Sequence, residues 1–217
     1  MKATEEVFLK DVANHKMTVL LDNGIYRHLR FAKEGARSWN QWFDIVTWPG
    51  FLAYSGDMGC FVFSRLKDMF EFFRGRPYAD EKQQLYINLS YWAEKLEAVD
   101  RSCSNPGEQQ YSPEIFAKRV NETVSEWIEE YGLSEEHRAD LREAIKDDVL
   151  RYGDDGEYEA HRALRDFETR VGGILFHFSD TWEWDLRDYT FRFVWCCYAI
   201  AWAIQQYDAV TEKAASQ

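Results

Sequence analysis

The chain has 217 residues, of which 46% are apolar and 17% aromatic, so its length and composition support a sizeable core and exclude a disordered chain. It carries 38 Asp and Glu against 26 Lys and Arg, a net charge of −12, and residues 94–159 alone hold 19 acids against 8 bases. Such a concentration of negative charge repels nucleic acid and attracts basic partners. We therefore predict a one-sided acidic surface and no direct binding of nucleic acid.

The most apolar segment, Phe193–Ile204, is 12 residues long, whereas a helix needs about 20 residues to cross a bilayer. We interpret it as a core helix, and because the first residues lack the pattern of a secretory signal, we expect a cytoplasmic protein without a membrane partner. The cysteines form no C-x-x-C motif and have no His at ligand spacing, so neither a zinc site nor a disulfide framework is indicated. They are Cys60, Cys103, Cys196 and Cys197.

The N-terminal third predicts a β-meander. Its β-compatible runs are separated by turn sequences at Asn23-Gly24, Pro49-Gly50 and Gly56-Asp57-Met58-Gly59. Because side chains alternate along a strand, Phe43, Ile45 and Thr47 should face one way and Asp44, Val46 and Trp48 the other. The predicted strands are Met17–Leu21, Ile25–Phe31, Trp42–Thr47, Phe51–Ser55 and Cys60–Phe63.

The rest of the chain has mostly helical periodicity, so we predict an α+β fold with the antiparallel meander packed against a helical C-terminal two-thirds. We predict one domain over residues 1–217, with a sheet-rich part at 12–80, a helical part at 85–210 and a sub-boundary at 102–111. The strand-like run Ile174–Phe178 is expected to extend the N-terminal sheet. The first predicted helix begins near Leu66, and further helices are predicted over Leu85–Arg101, from Pro113 to Gly132, from Ser134 to near Gly153, over Glu157–Thr169 and over Leu186–Ala209.

Apolar residues at helical spacing leave the acids of two consecutive helices on their outward faces. We expect these carboxylates to bind a partner protein with a basic groove by imitating the phosphates of a nucleic acid. The alternative interpretation is that these acids form a solvated face without a binding role, which only keeps the protein soluble. The residues are Glu122, Glu126, Glu129, Glu130, Glu136, Asp140, Glu143, Asp147 and Asp148.

An enzymatic site is the alternative interpretation. His28 and His177 lie in predicted strands and could meet across the sheet, with Asp44 or Cys60 nearby, to act on a nucleotide or a signalling molecule. The other histidines, His15, His137 and His161, are scattered and fall in no nucleophile motif. We therefore predict a binding protein rather than an enzyme, with no cofactor.

Two further clusters were weighed for ligands. The acids around Trp182 and Trp184 could supply oxygens to a hard cation, but they lack the glycine and the regular spacing of a calcium loop, so we predict no metal site. A basic cluster in the second predicted strand could grip phosphate or an acidic patch. The acids are Asp180, Glu183, Asp185 and Asp188; the cluster is Tyr26, Arg27, Arg30, Lys33 and Arg37.

Three segments, Trp42–Ser64, Ile87–Leu96 and Phe193–Asp208, resemble a family of uncharacterised proteins encoded by bacteriophages and prophages. The resemblance spans roughly residues 20–210 and implies an accessory protein made inside a bacterial host cell, without an assigned activity. Together with the charge distribution, it leads us to expect an inhibitor of a host antiviral or nucleic-acid-processing complex, such as an anti-CRISPR or another anti-defence protein. A homodimer through the aromatic sheet or the segment with Trp182 and Trp184 is the third interpretation.

Overall fold

The computed structural model describes residues 2–35, 40–74, 84–101 and 106–215. Within these residues the protein has the expected α+β fold, with an N-terminal antiparallel sheet followed by mostly helical structure. The α-helices are α1 (Glu5–Val12), α2 (Met69–Phe73), α3 (Leu89–Ala93), α4 (Pro113–Tyr131), α5 (Glu135–Asp148), α6 (Glu157–Asp166) and α7 (Phe191–Ala215). The strands are β1 (His15–Asn23), β2 (Tyr26–Lys33), β3 (Phe43–Trp48), β4 (Phe51–Gly56), β5 (Gly59–Ser64), β6 (Leu96–Val99), β7 (Gln109–Tyr111), β8 (Glu168–Val171), β9 (Ile174–His177) and β10 (Arg187–Tyr189).

The chain divides into two units, which we call the sheet unit (residues 1–109 and 189–217) and the helical unit (residues 110–188). The sheet unit therefore contains both ends of the sequence, while the helical unit is one continuous segment. Residues 102–105 of the predicted sub-boundary lie outside the described residues. The single domain over residues 1–217 stays a prediction.

The sheet of the first unit is a six-stranded antiparallel meander in the order β1-β2-β3-β4-β5-β6. The predicted alternation is confirmed, because Phe43, Ile45 and Thr47 are buried while Val46 and Trp48 on the other face are half-exposed. Asp44 on that other face is also buried, since its carboxylate is paired with Arg30. A β-bulge interrupts the pairing of β1 with β2 between Val19 and Leu21. The turn sequences identified in the N-terminal third thus connect successive strands.

The core of the sheet unit lies where α1 and α7 pack against one face of the sheet. Phe43 on β3 stacks against Phe31 with 4.8 Å between ring centroids and meets Trp195 of α7 edge-on at 5.8 Å. The indole Nε1 of Trp195 donates a hydrogen bond of 3.0 Å to Asp11 of α1, so its one polar atom is satisfied. The apolar C-terminal segment is therefore a core helix, as its composition predicts.

A buried arginine joins the sheet to two helices. Arg27 on β2 donates two hydrogen bonds of 2.9 Å to the carboxylate of Asp68, and its guanidinium lies 4.4 Å from the Phe70 ring centroid and 5.4 Å from that of Tyr207. Asp68 also accepts a hydrogen bond from the Phe70 backbone N–H and caps α2. This geometry gives the buried charge both a counter-ion and two aromatic faces.

In the helical unit, the capping signals of the sequence mark both ends of α4 and the start of α5, whereas α5 ends at Asp148 and not near Gly153, because a 3-10 helix follows over Leu150–Asp155. Ser112 and Ser134 each accept a hydrogen bond from a backbone N–H in the first turn, and Pro113 occupies the first helical position. Gly132 ends α4 in a left-handed conformation at φ 58°, which glycine adopts without steric cost. Both helices and α6 contribute to one apolar cluster, which forms the core of this unit.

The prediction of one helix over Leu85–Arg101 is wrong. Only α3 is helical there, and β6 follows it and pairs with β5, where Val62 lies opposite Ala98. This pairing extends the sheet to a sixth strand, and long-range hydrogen bonding thus overrides the local helical pattern. The last helix also begins at Phe191 rather than Leu186, because Arg187–Tyr189 forms β10, which pairs with β7.

The strand predicted at Ile174–Phe178 forms, but its predicted partner is wrong. β9 pairs with the preceding β8, where Val171 lies opposite Ile174, and does not join the N-terminal sheet. Gly172 and Gly173 connect the two strands with φ values of 59° and 83°, which allow a tight turn back onto the preceding residues. Because β8 begins at Glu168, α6 ends at Asp166, three residues before its predicted end at Thr169.

Among the described residues, no helix combines the length and the apolar character needed to cross a bilayer.

Candidate functional site

All nine carboxylates predicted as a partner-binding surface lie on α4 or α5, and all nine are exposed. Glu122 forms an ion pair with Lys118 at 3.8 Å, one turn earlier on α4. The other eight have no ion-pair partner among the residues that the structure describes. Their negative charge is thus available to a partner at little cost in broken contacts.

The spacing of the acids on α5 concentrates them on one side of the helix. They recur at intervals of four, three and four residues, and because an α-helix turns by about 100° per residue, they fall within about 60° of one another. Over a rise of about 1.5 Å per residue, this stripe is about 16 Å long. Its members are Glu136, Asp140, Glu143 and Asp147, opposite the buried Leu141 and Ile145.

The acids on α4 follow the same rule. Glu122, Glu126 and Glu129 are spaced by four and three residues, and Glu130 lies beside them. The apolar residues Phe116, Val120, Val124 and Ile128 are buried on the opposite side of this helix. Core packing therefore orients both stripes outward, whereas Asp148 lies about 100° from the stripe of α5 and lines a cavity of about 350 Å³ with Arg162 and Glu168.

The charge of the protein follows the boundary between the two units. The helical unit carries 21 Asp and Glu against 10 Lys and Arg, a net charge of −11, and the sheet unit carries 17 acids against 16 bases, a net charge of −1. The acidic composition is therefore a property of one unit and not of the whole protein. A basic partner is attracted to the helical unit by its summed field as well as by single carboxylates.

The alternative site at the sheet is partly assembled. The Nε2 atom of His28 lies 3.3 Å from Oδ2 of Asp44, as expected for two residues on neighbouring strands. Arg30 also donates two hydrogen bonds of 2.8 Å to the same carboxylate. Burial raises the pKa of the Cys60 thiol, with a smaller contribution from Asp100, so the thiol is protonated at neutral pH and is a weak nucleophile.

His177 does not belong to this sheet, and the expectation that it meets His28 across the sheet is wrong. It lies at the end of β9, in the hairpin of the helical unit, where its Nδ1 lies 3.4 Å from the backbone oxygen of Phe178. The physical reason is the turn at Gly172-Gly173, which pairs β9 with its neighbour in sequence. The structure therefore brings together His28 and Asp44 but not the full predicted set.

Three of the four acids around Trp182 and Trp184, namely Asp180, Glu183 and Asp185, line a cavity of about 480 Å³ with Arg119. The guanidinium of Arg119 lies 5.4 Å from the Trp184 ring centroid, and Trp184 packs edge-on against Phe178 at 5.8 Å. Trp184 is therefore a packing residue, whereas Trp182 is 76% exposed. Among the residues that the structure describes, no three His, Cys, Asp or Glu side chains converge as metal ligands.

The two arginines of the basic cluster on β2 form ion pairs within the protein. Arg27 binds Asp68 and Arg30 binds Asp44, each through two hydrogen bonds, and Lys33 lies 3.4 Å from the side-chain oxygen of Gln41. Arg37, like Cys103, lies outside the described residues. The two arginines thus stabilise the sheet unit through these paired hydrogen bonds.

One cleft of the helical unit was not predicted from the sequence. It lies between α6 and the 3-10 helix Thr181–Glu183, has a volume of about 450 Å³ and is lined by aromatic and cationic side chains. The signal for it is the spacing i, i+3, i+4 and i+7 along α6, which places four residues on one side of a helix. These are Tyr158, His161, Arg162 and Arg165, which line the cleft with Thr181 and Trp182.

Comparisons with known proteins give no further assignment: no protein-family model matches the chain, and neither a curated protein nor a solved structure shows significant similarity to it. The resemblance to phage-encoded proteins stays a prediction.

Proposed function

We propose that the protein binds a basic surface of a partner protein complex through the carboxylates of α4 and α5, and that it inhibits this complex by occupying a groove that otherwise holds nucleic acid. The observation that carries the proposal is the set of nine exposed acids on two consecutive helices, eight of which have no ion-pair partner among the described residues. Electrostatic complementarity of this kind gives specificity and fast association.

The arrangement suits phosphate mimicry for two reasons. The carboxylates are carried by helices whose opposite sides are packed in a core, so their spacing is fixed before binding. Little of the binding energy is then lost in ordering the surface. The unit is also negative overall, with a net charge of −11, as a substitute for nucleic acid must be to enter a basic groove.

The setting of this activity is part of the proposal. The resemblance to phage and prophage proteins leads us to place the partner among host antiviral or nucleic-acid-processing complexes in the bacterial cytoplasm. Such complexes expose basic grooves for their own substrates. Inhibition by a stoichiometric blocker requires no turnover, and it is consistent with a surface whose acids are open to solvent.

The test compares two variants with the same change in net charge. The first reverses Glu126, Asp140, Glu143 and Asp147 to Lys within the stripes of α4 and α5. The second reverses four exposed acids outside these helices, Glu6, Glu97, Asp154 and Asp155, to Lys. Tagged proteins capture partners from bacterial lysate, the partners are identified by mass spectrometry, and the affinity of the purified partner and its nucleic-acid binding are then measured.

We expect the first variant to lose the partner and its inhibition, with affinity falling by tenfold or more because several close charge pairs become repulsive. The second variant should retain most of the affinity, and both should keep the melting temperature of the native protein within a few degrees. Equal affinity of the native protein and the first variant would refute the proposal. Equal losses in both variants would reduce it to a nonspecific effect of net charge.

The contact between His28 and Asp44 favours a second candidate, an enzyme acting on a nucleotide or a signalling molecule. A carboxylate that orients a histidine is a common arrangement for general base catalysis. The two candidates differ in stoichiometry, since an enzyme works far below the concentration of its target whereas a blocker must match it. Inhibition by the native protein at one hundredth of the target concentration, lost in His28→Ala, would establish the enzyme.

A further inference from the structure

We propose that the cleft between α6 and the 3-10 helix Thr181–Glu183 binds a mononucleotide, with the base stacked on Trp182 and Tyr158 and the phosphate held by Arg165 and His161. This site lies on different residues from the nine carboxylates, so it stands or falls independently of the proposed partner binding.

The first argument is the exposure of two aromatic side chains in one cleft. Trp182 is 76% exposed and Tyr158 is 73% exposed, although both rings would gain free energy from burial. Other tryptophans of the same unit are packed: Trp127 meets Phe176 edge-on at 5.0 Å, and Trp184 meets Phe178. Exposed aromatic rings that line one cleft are therefore better explained by a ligand with a planar face than by packing.

The second argument is the set of nitrogen-bearing side chains beside the rings, which can donate hydrogen bonds to an anion. His161 has no hydrogen-bond or ion-pair partner among the part of the chain that the structure describes. The Nε atom of Arg165 donates to Asp166 at 2.8 Å, but the side chains of this pair are 68% and 58% exposed. An ion pair so open to water contributes little, and a phosphate with several acceptor oxygens can compete for the guanidinium.

Arg162 takes a different part in the site. Its Nη2 atom lies 2.6 Å from the carboxylate of Glu159, one turn earlier on α6, and the side chain of Glu159 is 31% exposed. This more sheltered pair holds the guanidinium of Arg162 against its own helix. Arg162 therefore shapes the wall of the cleft, while Arg165 and His161 supply donors to an anion.

Size and surroundings also fit a mononucleotide. The volume of about 450 Å³ falls within the range of about 300–1,000 Å³ that small-molecule sites occupy. None of the nine carboxylates of α4 and α5 lines the cleft. A long nucleic acid would have to cross the negative surface of the unit, whereas a single nucleotide needs only the cleft itself.

The test is isothermal titration calorimetry of the full chain with AMP, GMP, CMP and UMP, with adenosine and inorganic phosphate as partial ligands. We expect at least one mononucleotide to bind. Its own nucleoside, added to the series once that mononucleotide is identified, and inorganic phosphate alone should each bind at least tenfold more weakly. Trp182→Ala should weaken binding about tenfold, since stacking of a base on one aromatic ring contributes a factor of this order. Arg165→Ala should weaken it by about tenfold or more, since it removes a hydrogen bond to a charged phosphate.

The matched controls remove the same side-chain types outside the cleft. Tyr131→Ala and Arg170→Ala alter an exposed aromatic ring of α4 and an exposed arginine of β8, and both should leave the affinity unchanged. Absence of binding for all four mononucleotides at about 1 mM would overturn the proposal, as would unchanged affinity in both cleft variants. Because Trp182 and Arg165 are exposed, each variant should melt like the native protein, and two independent variants guard against the misfolding of one.

Discussion

The two units of this protein divide its aromatic residues and its charge between them. The sheet unit buries a continuous aromatic core between a six-stranded sheet and α7, and its acids and bases nearly cancel, at 17 against 16. The helical unit has a smaller core formed by helices and a hairpin, and it carries 21 acids against 10 bases. The sheet unit is thus distinguished by its buried aromatic core and the helical unit by its exposed charge. Substitution of a characteristic residue should therefore lower the free energy of unfolding in the sheet unit much more than in the helical unit.

The largest difference is expected for aromatic residues. Phe43→Ala should lower the free energy of unfolding by about 3–5 kcal/mol, because it leaves a cavity among Phe31, Tyr54 and Trp195 in the sheet unit. Trp182→Ala in the helical unit should change it by less than about 0.5 kcal/mol, since the ring is exposed. Urea denaturation followed by circular dichroism measures both. Similar losses in the two variants would contradict the division into a buried and an exposed set.

Loss of an ion pair should also lower the free energy of unfolding far more in the sheet unit than in the helical unit. Burial alone would raise the pKa of Asp68, but hydrogen bonds from Arg27 and from the backbone of Phe70 outweigh it and lower that pKa. Asp68→Asn should cost roughly 3 kcal/mol of unfolding free energy at pH 7, because it leaves the buried guanidinium of Arg27 without a counter-ion. In the helical unit, Asp166→Asn should have no measurable effect, since its pair with Arg165 is exposed to solvent.

The contribution of Asp68 to the free energy of unfolding should depend on pH, and its lowered pKa fixes the direction of that dependence. Because the pKa of Asp68 is lower in the folded protein than in the unfolded chain, where it is about 3.9, its contribution is present above that value. It is lost as the pH falls through the lowered pKa of the folded state. The difference between the native protein and Asp68→Asn should therefore shrink below about pH 4. A constant difference from pH 7 to pH 3 would show that the charge of Asp68 is not the cause.

The smallest effect is expected from salt. Like charges on α4 and α5 repel one another in the native state, and added salt screens this repulsion. Between low salt and about 0.5 M NaCl, amide protons of α5 should gain up to about 1 kcal/mol of protection, whereas those of β3 should change little. Hydrogen exchange followed by NMR resolves the two units in one sample. Equal gains in both would mean that salt acts generally and not on the acidic stripes.

Local signals in the sequence predicted much of this architecture. The Asn23-Gly24 and Pro49-Gly50 turns defined hairpins, Ser112 and Gly132 defined the two ends of α4, and Ser134 defined the start of α5, because each acts through its own backbone geometry. The exposure of the nine carboxylates followed from the same helical periodicity. Their role in binding stays a prediction, since a spacing on one chain does not identify a partner.

The features that the sequence did not predict depend on pairing between distant or ambiguous segments. The strand β6 lies in a segment with helical periodicity, and only its hydrogen bonds to β5 identify it. The partner of β9 was misassigned, although the glycine pair before it is a hairpin signal. The cleft of α6 was missed because Trp182 and Tyr158 are 24 positions apart in the sequence, and only the fold places them along one cleft.

The bulge in β1 has a consequence for self-association. This nine-residue strand lies at the edge of the sheet and exposes Val19, Leu20 and Leu21, each between 45% and 51%. A straight apolar edge of that length would template the addition of a strand from a second molecule. The register break between Val19 and Leu21 bends the edge and interrupts its row of free donors and acceptors. A deletion of Leu20 that straightens the edge should therefore promote fibrillar aggregation relative to the native chain.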